Sequence, residues 1–561
     1  MAYQTLIDPV VERAHRTPDH LTLIFWPEDG PHEHVTAARF HAEAAAFAQA
    51  LQATGIGPDD LVVLVLHHSR PLLSAFWGAL YLGAIPSIFP FLTEKLDPAL
   101  YLERVRTLVA HSGVRAVITF PDFKADLSAL LADVGCRVLS TDDVPGIESV
   151  GDFTPLWEQP SGEKIAFLQH SSGTTGLQKG VALSHRAVLN QVEAYGEAIK
   201  LTPQDVIVSW LPLYHDMGLI AGFVMPIVAG NTLVLMSPFH WVRAPRILFQ
   251  AIDAYRGTLC WLPNFAYNHC VRAVRKRDLE GIGLRHWRAA INCSEPVRLD
   301  SHRMFLERFA PYGFREEALA VSYAMAENTF AVTQTPVGQP AHVDWVSVRA
   351  LQEERHALPA PPDAPGSVAV VSCGYPIPGC EVAVVDETGA RLPDRRVGEI
   401  IIRSSSMLSE YHARPDVTAE AIRDGWYYSG DMGYIAEGRL YVSGRKKDLI
   451  IVGGKNVYPQ DLEAIANTVP GIHPGRAVAF GVMDERLGTE SIVIVCELES
   501  TTAPEEIHTI ERELRRRVVE QTEVTLRDVR LVDGRWLIKT SSGKIARNDN
   551  RAKYLREFQG A

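Results

Sequence analysis

At 561 residues with 47% hydrophobic content, the chain is long enough for two or more domains with buried cores. Lys and Arg number 55 against 67 Asp and Glu, a formal net charge of -12, which argues against nucleic acid or an anionic membrane as the main partner. The seven cysteines are scattered and include no C-x-x-C pair, so neither a zinc site nor a disulfide framework is signalled, and reduced cytoplasmic thiols fit best.

The N-terminal stretch "MAYQTLIDPVVERAHRTPDH" carries Asp, Glu and Pro where a secretion signal would need an apolar core. "ARFHAEAAAFAQALQATG" then reads as a helix stopped by Gly55, followed by the β-rich runs "DLVVLVL" and "RAVITF". The most apolar region, residues 61 to 91, is broken by "HHSRP" and by two further prolines, so no membrane insertion is expected. Strand-like runs "DVIVSWL", "GNTLVLM", "GTLCWLP" and "WRAAINC" each precede a helix-compatible segment, the rhythm of a layered α/β body. From about residue 340 the texture changes to the Pro-rich loop "LPAPPDAPGS" and a hairpin-rich β region, "CEVAVVDETGARLPDRRVGEIIIRS". After "GRKKD" a βα pattern restarts and ends in a compact unit with the Arg-rich helix "IERELRRRVVEQT". The expected architecture is α/β, with a large multi-subdomain N-terminal body over 1–445 and a small α+β domain over 446–561.

The stretch "SSGTTGLQKG", residues 171 to 180, concentrates small hydroxyl residues and glycines around Lys179. Such a loop can turn backbone N–H groups, hydroxyls and an ammonium toward the oxygens of a polyphosphate. It is not a Walker A loop, because Gly176 is followed by Leu-Gln-Lys and not directly by Lys and a hydroxyl residue. Further along come "LPLYHDMG", "YAMAENTF", "YYSGDMGYI", "GRKKDLIIVGGKNVYPQDLE" and "KTSSGKIAR".

Six motifs in this order resemble the adenylate-forming superfamily of acyl-CoA synthetases, adenylation domains and luciferases, over nearly the whole chain. Details such as "LPLYHDMGLI", "PNFAYNHC" and "NVYPQDLE", with the extra segment "VDWVSVRALQEERHALPAPPDAPGSVAV", are similar to the fatty acyl-AMP ligase branch. That branch usually delivers its acyl group to a carrier-protein phosphopantetheine thiol. The resemblance implies an ATP- and Mg²⁺-dependent ligase acting on a small carboxylic acid, with an acyl carrier protein, or else CoA, as acceptor.

The resemblance also implies roles. Ser171, Ser172, Gly173, Thr174, Thr175, Gly176 and Lys179 wrap the β- and γ-phosphates of ATP. Glu327 ligates Mg²⁺, Tyr323 stacks on adenine, Asp431 accepts from the ribose hydroxyls, and Arg445 reaches the ribose from the domain junction. Ser294, Glu295 and Pro296 border the nucleotide. Lys544 places its ammonium between substrate carboxylate and α-phosphate, where a point charge suits better than a guanidinium fork. His215 gates the acyl pocket, which Trp261, Leu262 and Asn264 help to line. Lys447, two residues after Arg445, is the hinge about which a mobile C-terminal lid rotates between two half-reactions.

Three stretches depart from the branch pattern: "LCWLPN" puts Trp261 and Leu262 at small-residue positions, "NCSEP" replaces "GAEP", and "YAMAENT" replaces "YGLAEAT". Bulkier residues there point to a shorter or more polar acid than a long-chain fatty acid, with packing compensated by drift as the bland alternative. Three other readings stay open: a ligase using free CoA, adenylation of an unusual oxyacid such as nitrite for transfer to an amine, and an idle nucleotide-sensing scaffold. Cys293 is not expected to be a nucleophile, since no adjacent His would lower its pKa.

Overall fold

The computed structural model describes residues 3–92, 98–150, 154–155, 161–170, 179–362, 364–452, 455–484, 489–522, 524–540 and 544–558. Runs such as Thr232–Met236 (TLVLM) and Leu259–Leu262 (LCWL) are apolar without alternation, the mark of strands covered on both faces. They form the middle of a nine-stranded sheet in which Leu319–Ala324, Ala289–Asn292, Leu259–Leu262, Val206–Ser209, Thr232–Met236 and Leu21–Trp26 lie side by side and parallel. Ala331–Gln334 and Glu33–Thr36 pair antiparallel at the flanks. Helices start where local chemistry tells them to: Thr36 caps Ala37–Ala53 by accepting from the Arg39 N–H, and Ser184 caps His185–Ala198 by accepting from the Ala187 N–H.

A second sheet of four parallel strands (Ile85–Ile88, Leu61–Val65, Ala116–Thr119, Arg137–Ser140) is built from the early β-rich runs. The hairpin-rich region forms an antiparallel sheet of Cys380–Val385, Gly398–Ser404, Trp426–Ala436 and Arg439–Arg445, in which Asp431 sits directly opposite Arg445. Beyond residue 449, Ile472–Asp484, Thr489–Leu498 and Leu526–Val532 make a further sheet with its own core of Leu462, Ile465, Ile494, Leu514 and Val518. The Arg-rich helix Ile507–Thr522 buries Ile510, Leu514 and Val518, four residues apart, and turns Arg516 outward to pair with Glu513 and Glu520.

The described residues of the extra segment form a hairpin and a short helix. Val343–Ser347 pairs with Ser367–Val371, and Ser347 caps the short helix Val348–Glu353 between them. Val346, Leu351 and Ala357 pack against Met432, Tyr434 and Tyr441 of the antiparallel sheet and against Tyr458. Among the described residues no helix is long and apolar enough to cross a membrane.

Candidate active site

In an open parallel sheet, ligands bind beyond the carboxyl ends of the strands. Part of the predicted site falls there. Val206–Ser209 runs into the loop carrying His215, Leu259–Leu262 into Asn264, Ala289–Asn292 into Cys293 to Pro296, and Leu319–Ala324 into Glu327. These four strands are adjacent in the sheet, so their loops converge on one edge.

One group of side chains has hydroxyls and carboxylates at its centre. Tyr323, buried, donates a 2.6 Å hydrogen bond to Asp431 Oδ2, and Arg445 Nε lies 3.3 Å from Asp431 Oδ1. Glu327 sits in a single helical turn, Ala326–Asn328, and accepts at Oε1 from the Tyr411 hydroxyl at 2.8 Å. Tyr411 is buried, shares a 3.0 Å hydrogen bond with the Tyr427 hydroxyl, and presents its ring 4.9 Å from the Lys179 ammonium. Lys179, itself exposed, opens the strand Gly180–Ser184, which pairs with Glu410–Tyr411. Ser171, Ser172, Gly173, Thr174, Thr175 and Gly176 lie outside the described residues.

A second group surrounds the "YHDMG" turn. His215 Nδ1 is 2.6 Å from Asp216 Oδ1, and Asp216 also accepts from the Met217 N–H at 2.8 Å. Gly218 is required there, because a Cβ would overlap the carbonyl oxygen of Pro212. Burial alone would raise the Asp216 carboxyl, but His215 and Lys544 outweigh it and hold the group below the usual carboxylate range. The Lys544 ammonium acts on Cys293 and Glu295 as well, so it faces this cluster from the far end of the chain. Its backbone is fixed by a short antiparallel bridge, Lys539 to Ile545, with the Thr540 N–H donating to the Lys544 carbonyl at 2.7 Å.

Ser294 holds φ +68°, a left-handed conformation that costs a side-chain-bearing residue free energy and recurs at functional sites. Burial raises the Glu295 carboxyl, which accepts from the Phe265 N–H at 2.9 Å; Pro296 is exposed. Burial also pushes the Cys293 thiol up to about 12, too high to supply a thiolate nucleophile at neutral pH. Asn264 is buried, donates to Ser301 Oγ and accepts from Asn292 Nδ2 and the Arg298 N–H, each at 3.1 Å. Leu262 is fully buried, and Trp261 lies in the main core with its Nε1–H donating to the Tyr195 hydroxyl at 2.8 Å, which donates in turn to Gln334 Oε1 at 3.0 Å.

A small apolar pocket, with little enclosed space, lies beside the same turn between Leu66, Leu72, Ile88, Leu213, Tyr214 and Phe239. Its lining includes none of His215, Trp261, Leu262 and Asn264. Lys447 is exposed at the junction of body and C-terminal unit; partial desolvation, and then Arg445, hold its ammonium below the usual lysine range. Sequence reasoning missed Tyr411, Tyr427 and Asp216 as members of the site. Asp216 could have been flagged as the only acid in an apolar stretch, whereas Tyr411 carries no local signal.

The AMP-binding enzyme family model matches residues 10–412. The medium-chain-fatty-acid–[acyl-carrier-protein] ligase JamA of Moorena producens is 30% identical over 99% of this chain and 95% of its own. The long-chain-fatty-acid–AMP ligase FadD32 of Mycolicibacterium smegmatis is 31% identical over 94% of this chain and 90% of its own. Among solved structures, one from a study of fatty acyl-adenylate ligases of E. coli and L. pneumophila superposes with a TM-score of 0.90 at 28% identity, covering 100% of this chain and 98% of that one. The L. pneumophila fatty acyl-adenylate ligase in complex with acyl adenylate and pyrophosphate superposes at 0.74 with 30% identity, covering 99% and 96%. The chain therefore belongs to the AMP-binding enzyme family and is an ATP-dependent acid–AMP ligase of the adenylate-forming superfamily.

Proposed function

We propose that the protein activates a carboxylic acid shorter than a long-chain fatty acid and passes it to the phosphopantetheine thiol of a carrier protein. In the first step a carboxylate oxygen attacks the α-phosphorus of ATP, the bond to the β-phosphate breaks, and pyrophosphate leaves. In the second, the thiol sulfur attacks the acyl carbon, the bond to AMP breaks, and the thiol proton is lost to solvent.

The chain's residues suit these demands. Tyr323 offers an aromatic face for adenine, and Asp431, braced by Tyr323 and Arg445, keeps an acceptor geometry for ribose hydroxyls. Lys179 and residues 171–176 serve the β- and γ-phosphates. Glu327 gives one carboxylate oxygen to Tyr411 and hydrogen-bonds no other described side chain, so its second oxygen is a hard donor of the kind Mg²⁺ requires. Bound Mg²⁺ would neutralise charge on the phosphate oxygens. The ammonium of Lys544 is the group to hold the acid's carboxylate and the α-phosphate together, a reading supported by its electrostatic influence on Asp216.

The observation that carries the carrier-protein reading is the hold of the extra segment on the C-terminal unit. Asn456, buried, donates to the Gln352 carbonyl at 2.9 Å, Lys455 pairs with Glu353 at 3.0 Å, and Tyr458 packs into the Leu351 cluster. These contacts favour the orientation in which Lys544 faces His215 and oppose free rotation about Lys447. A tethered thiol on a docking protein can supply the binding energy to release them, whereas free CoA brings less surface. JamA, a ligase of medium-chain fatty acids to acyl carrier protein, supports the same acceptor. The bulk of Trp261 and Leu262, at positions where the branch carries small residues, supports an acid shorter than a long-chain fatty acid.

The test is mass spectrometry of the protein with ATP, Mg²⁺ and a panel of long-chain, short-chain, aromatic, amino and nitrite acids, with CoA or with phosphopantetheinylated carrier. A short-chain adenylate consumed by the carrier and not by CoA is the expected result. A CoA thioester, or a preference for long chains, overturns the reading.

A further inference from the structure

Between Met217 and Leu279 the chain holds seven cations, Arg243, Arg246, Arg256, Arg272, Arg275, Lys276 and Arg277, and two carboxylates, Asp253 and Asp278, although its overall net charge is -12. Six of these cations are carried by neighbouring elements of the body. The helices Pro238–Arg243, Arg246–Ala254 and Asn264–Ala273 are neighbours, joined where His269 Nε2 lies 3.0 Å from the Val242 carbonyl, and the turn Lys276–Leu279 packs against Arg246–Ala254. Arg243, Arg246, Arg272, Arg275, Lys276 and Arg277 are all exposed. Arg243 pairs with Glu28; among the described residues the other five enter no ion pair.

Beside the cations lie exposed apolar side chains: Phe239 at 38%, Val242 at 47% and Phe265 at 42%. Phe265 is braced from beneath, since Trp241 stacks on Trp210 at 3.5 Å and Phe265 stands edge-on to both rings at 6.2 Å. This apolar end is next to the site, because the Phe265 N–H donates to Glu295 and Trp210 precedes the His215 turn. The basic end begins at Arg272, seven residues further along the same helix, or about 10 Å at helical rise. The face also adjoins the seam between body and C-terminal unit, where Arg298 bonds to Asp461 at 3.0 Å and to the Gln460 carbonyl at 2.8 Å.

We infer that this face is the docking surface for the acidic carrier domain that accepts the acyl group; the inference rests on the carrier-protein reading above. Charge complementarity selects the partner: a local excess of cations on an otherwise acidic protein steers an acidic protein and its phosphate-bearing arm to this face. The apolar end, nearer the site, supplies the desolvated contact that a purely electrostatic patch lacks.

The test compares the full-length protein with Arg272→Glu/Arg275→Glu and, as a second variant, Arg246→Glu. Three rates are read: acid-dependent pyrophosphate exchange, transfer to free pantetheine, and transfer to phosphopantetheinylated carrier domains of acidic surface. The inference expects the KM for carrier to rise about tenfold or more in both variants, with the two carrier-free rates within about twofold of the parent. Raising salt should weaken carrier transfer in the parent and much less in the variants. Carrier transfer unchanged by charge reversal overturns the docking face and leaves the acceptor reading standing. A parent protein that loads CoA and no carrier overturns the acceptor reading, and the docking face with it.

Discussion

The Tyr411 hydroxyl donates to Glu327 Oε1 at 2.8 Å, while the ring of the same tyrosine lies 4.9 Å from the Lys179 ammonium. One aromatic side chain thus fixes the distance between the carboxylate assigned to the metal and the cation assigned to the phosphates. Tyr411→Phe keeps the ring and removes the hydroxyl. A hydrogen bond to a charged group is worth about 1.5–3 kcal/mol, so adenylation should fall by about 10- to 100-fold. The Mg²⁺ concentration needed for half-maximal ATP binding should rise, whereas a merely structural loss would leave it unmoved; calorimetric titration of ATP at several Mg²⁺ levels reads the difference.

Lys544 reaches the site from the C-terminal unit and acts on Asp216, Cys293 and Glu295 together. Lys544→Ala should reduce acid-dependent pyrophosphate exchange by about 100-fold or more, the scale of losing a charge that stabilises the transition state. ATP binding should persist, and a supplied acyl adenylate should still be consumed by thiol at close to the parent rate. Normal exchange by the variant would remove Lys544 from the reaction.

Two buried histidines set an acid limit on stability. His185 accepts the Leu6 N–H at Nδ1 and His302 lies 3.0 Å from Asn292 Nδ2 through Nε2; an accepting ring nitrogen carries no proton, so both rings are neutral. Burial pushes His185 down to about 3 and His302 to about 4, against about 6.5 for an unfolded imidazole. Between these values the unfolded chain binds more protons than the folded one. Their neutral burial therefore costs nothing above about pH 6.5, and stability falls by about 1.4 kcal/mol per histidine for each unit of pH below it. His302→Gln keeps a hydrogen-bonding partner for Asn292 without a titrating ring, and should shallow the decline of the urea midpoint between pH 6.5 and 4.

Asn456 is buried and spends its amide on the Gln352 carbonyl, across the boundary between extra segment and C-terminal unit. Asn456→Ala leaves that carbonyl unsatisfied in this orientation, a cost of about 1–3 kcal/mol that rotation of the unit would relieve. The variant should adenylate more slowly and transfer to thiols faster, with CoA thioester formation detectable by mass spectrometry. Unchanged partition between the two half-reactions would separate the extra segment from acceptor choice.

The linear sequence determined the family, because its motifs are short and contiguous: "SSGTTGLQKG", "YHDMG", "SGDMG" and "SSGKIAR" each set an assigned residue within a recognisable run of ten residues or fewer. It also determined the layered body, since apolar runs without alternation can be satisfied only by strands covered on both faces. Tertiary structure alone decided which groups support one another. Tyr411 lies 84 residues from Glu327, and Tyr323 lies 108 from Asp431; no periodicity encodes either pair, because antiparallel and parallel sheet contacts join segments regardless of their distance along the chain. The same holds for Trp261, whose Nε1–H donates to the Tyr195 hydroxyl and, through it, connects to Gln334, partners that lie 66 residues or more away along the chain. Packing a large side chain costs little where a partner for its polar atom and space for its ring are provided by distant residues, and those are fixed only when the sheet assembles.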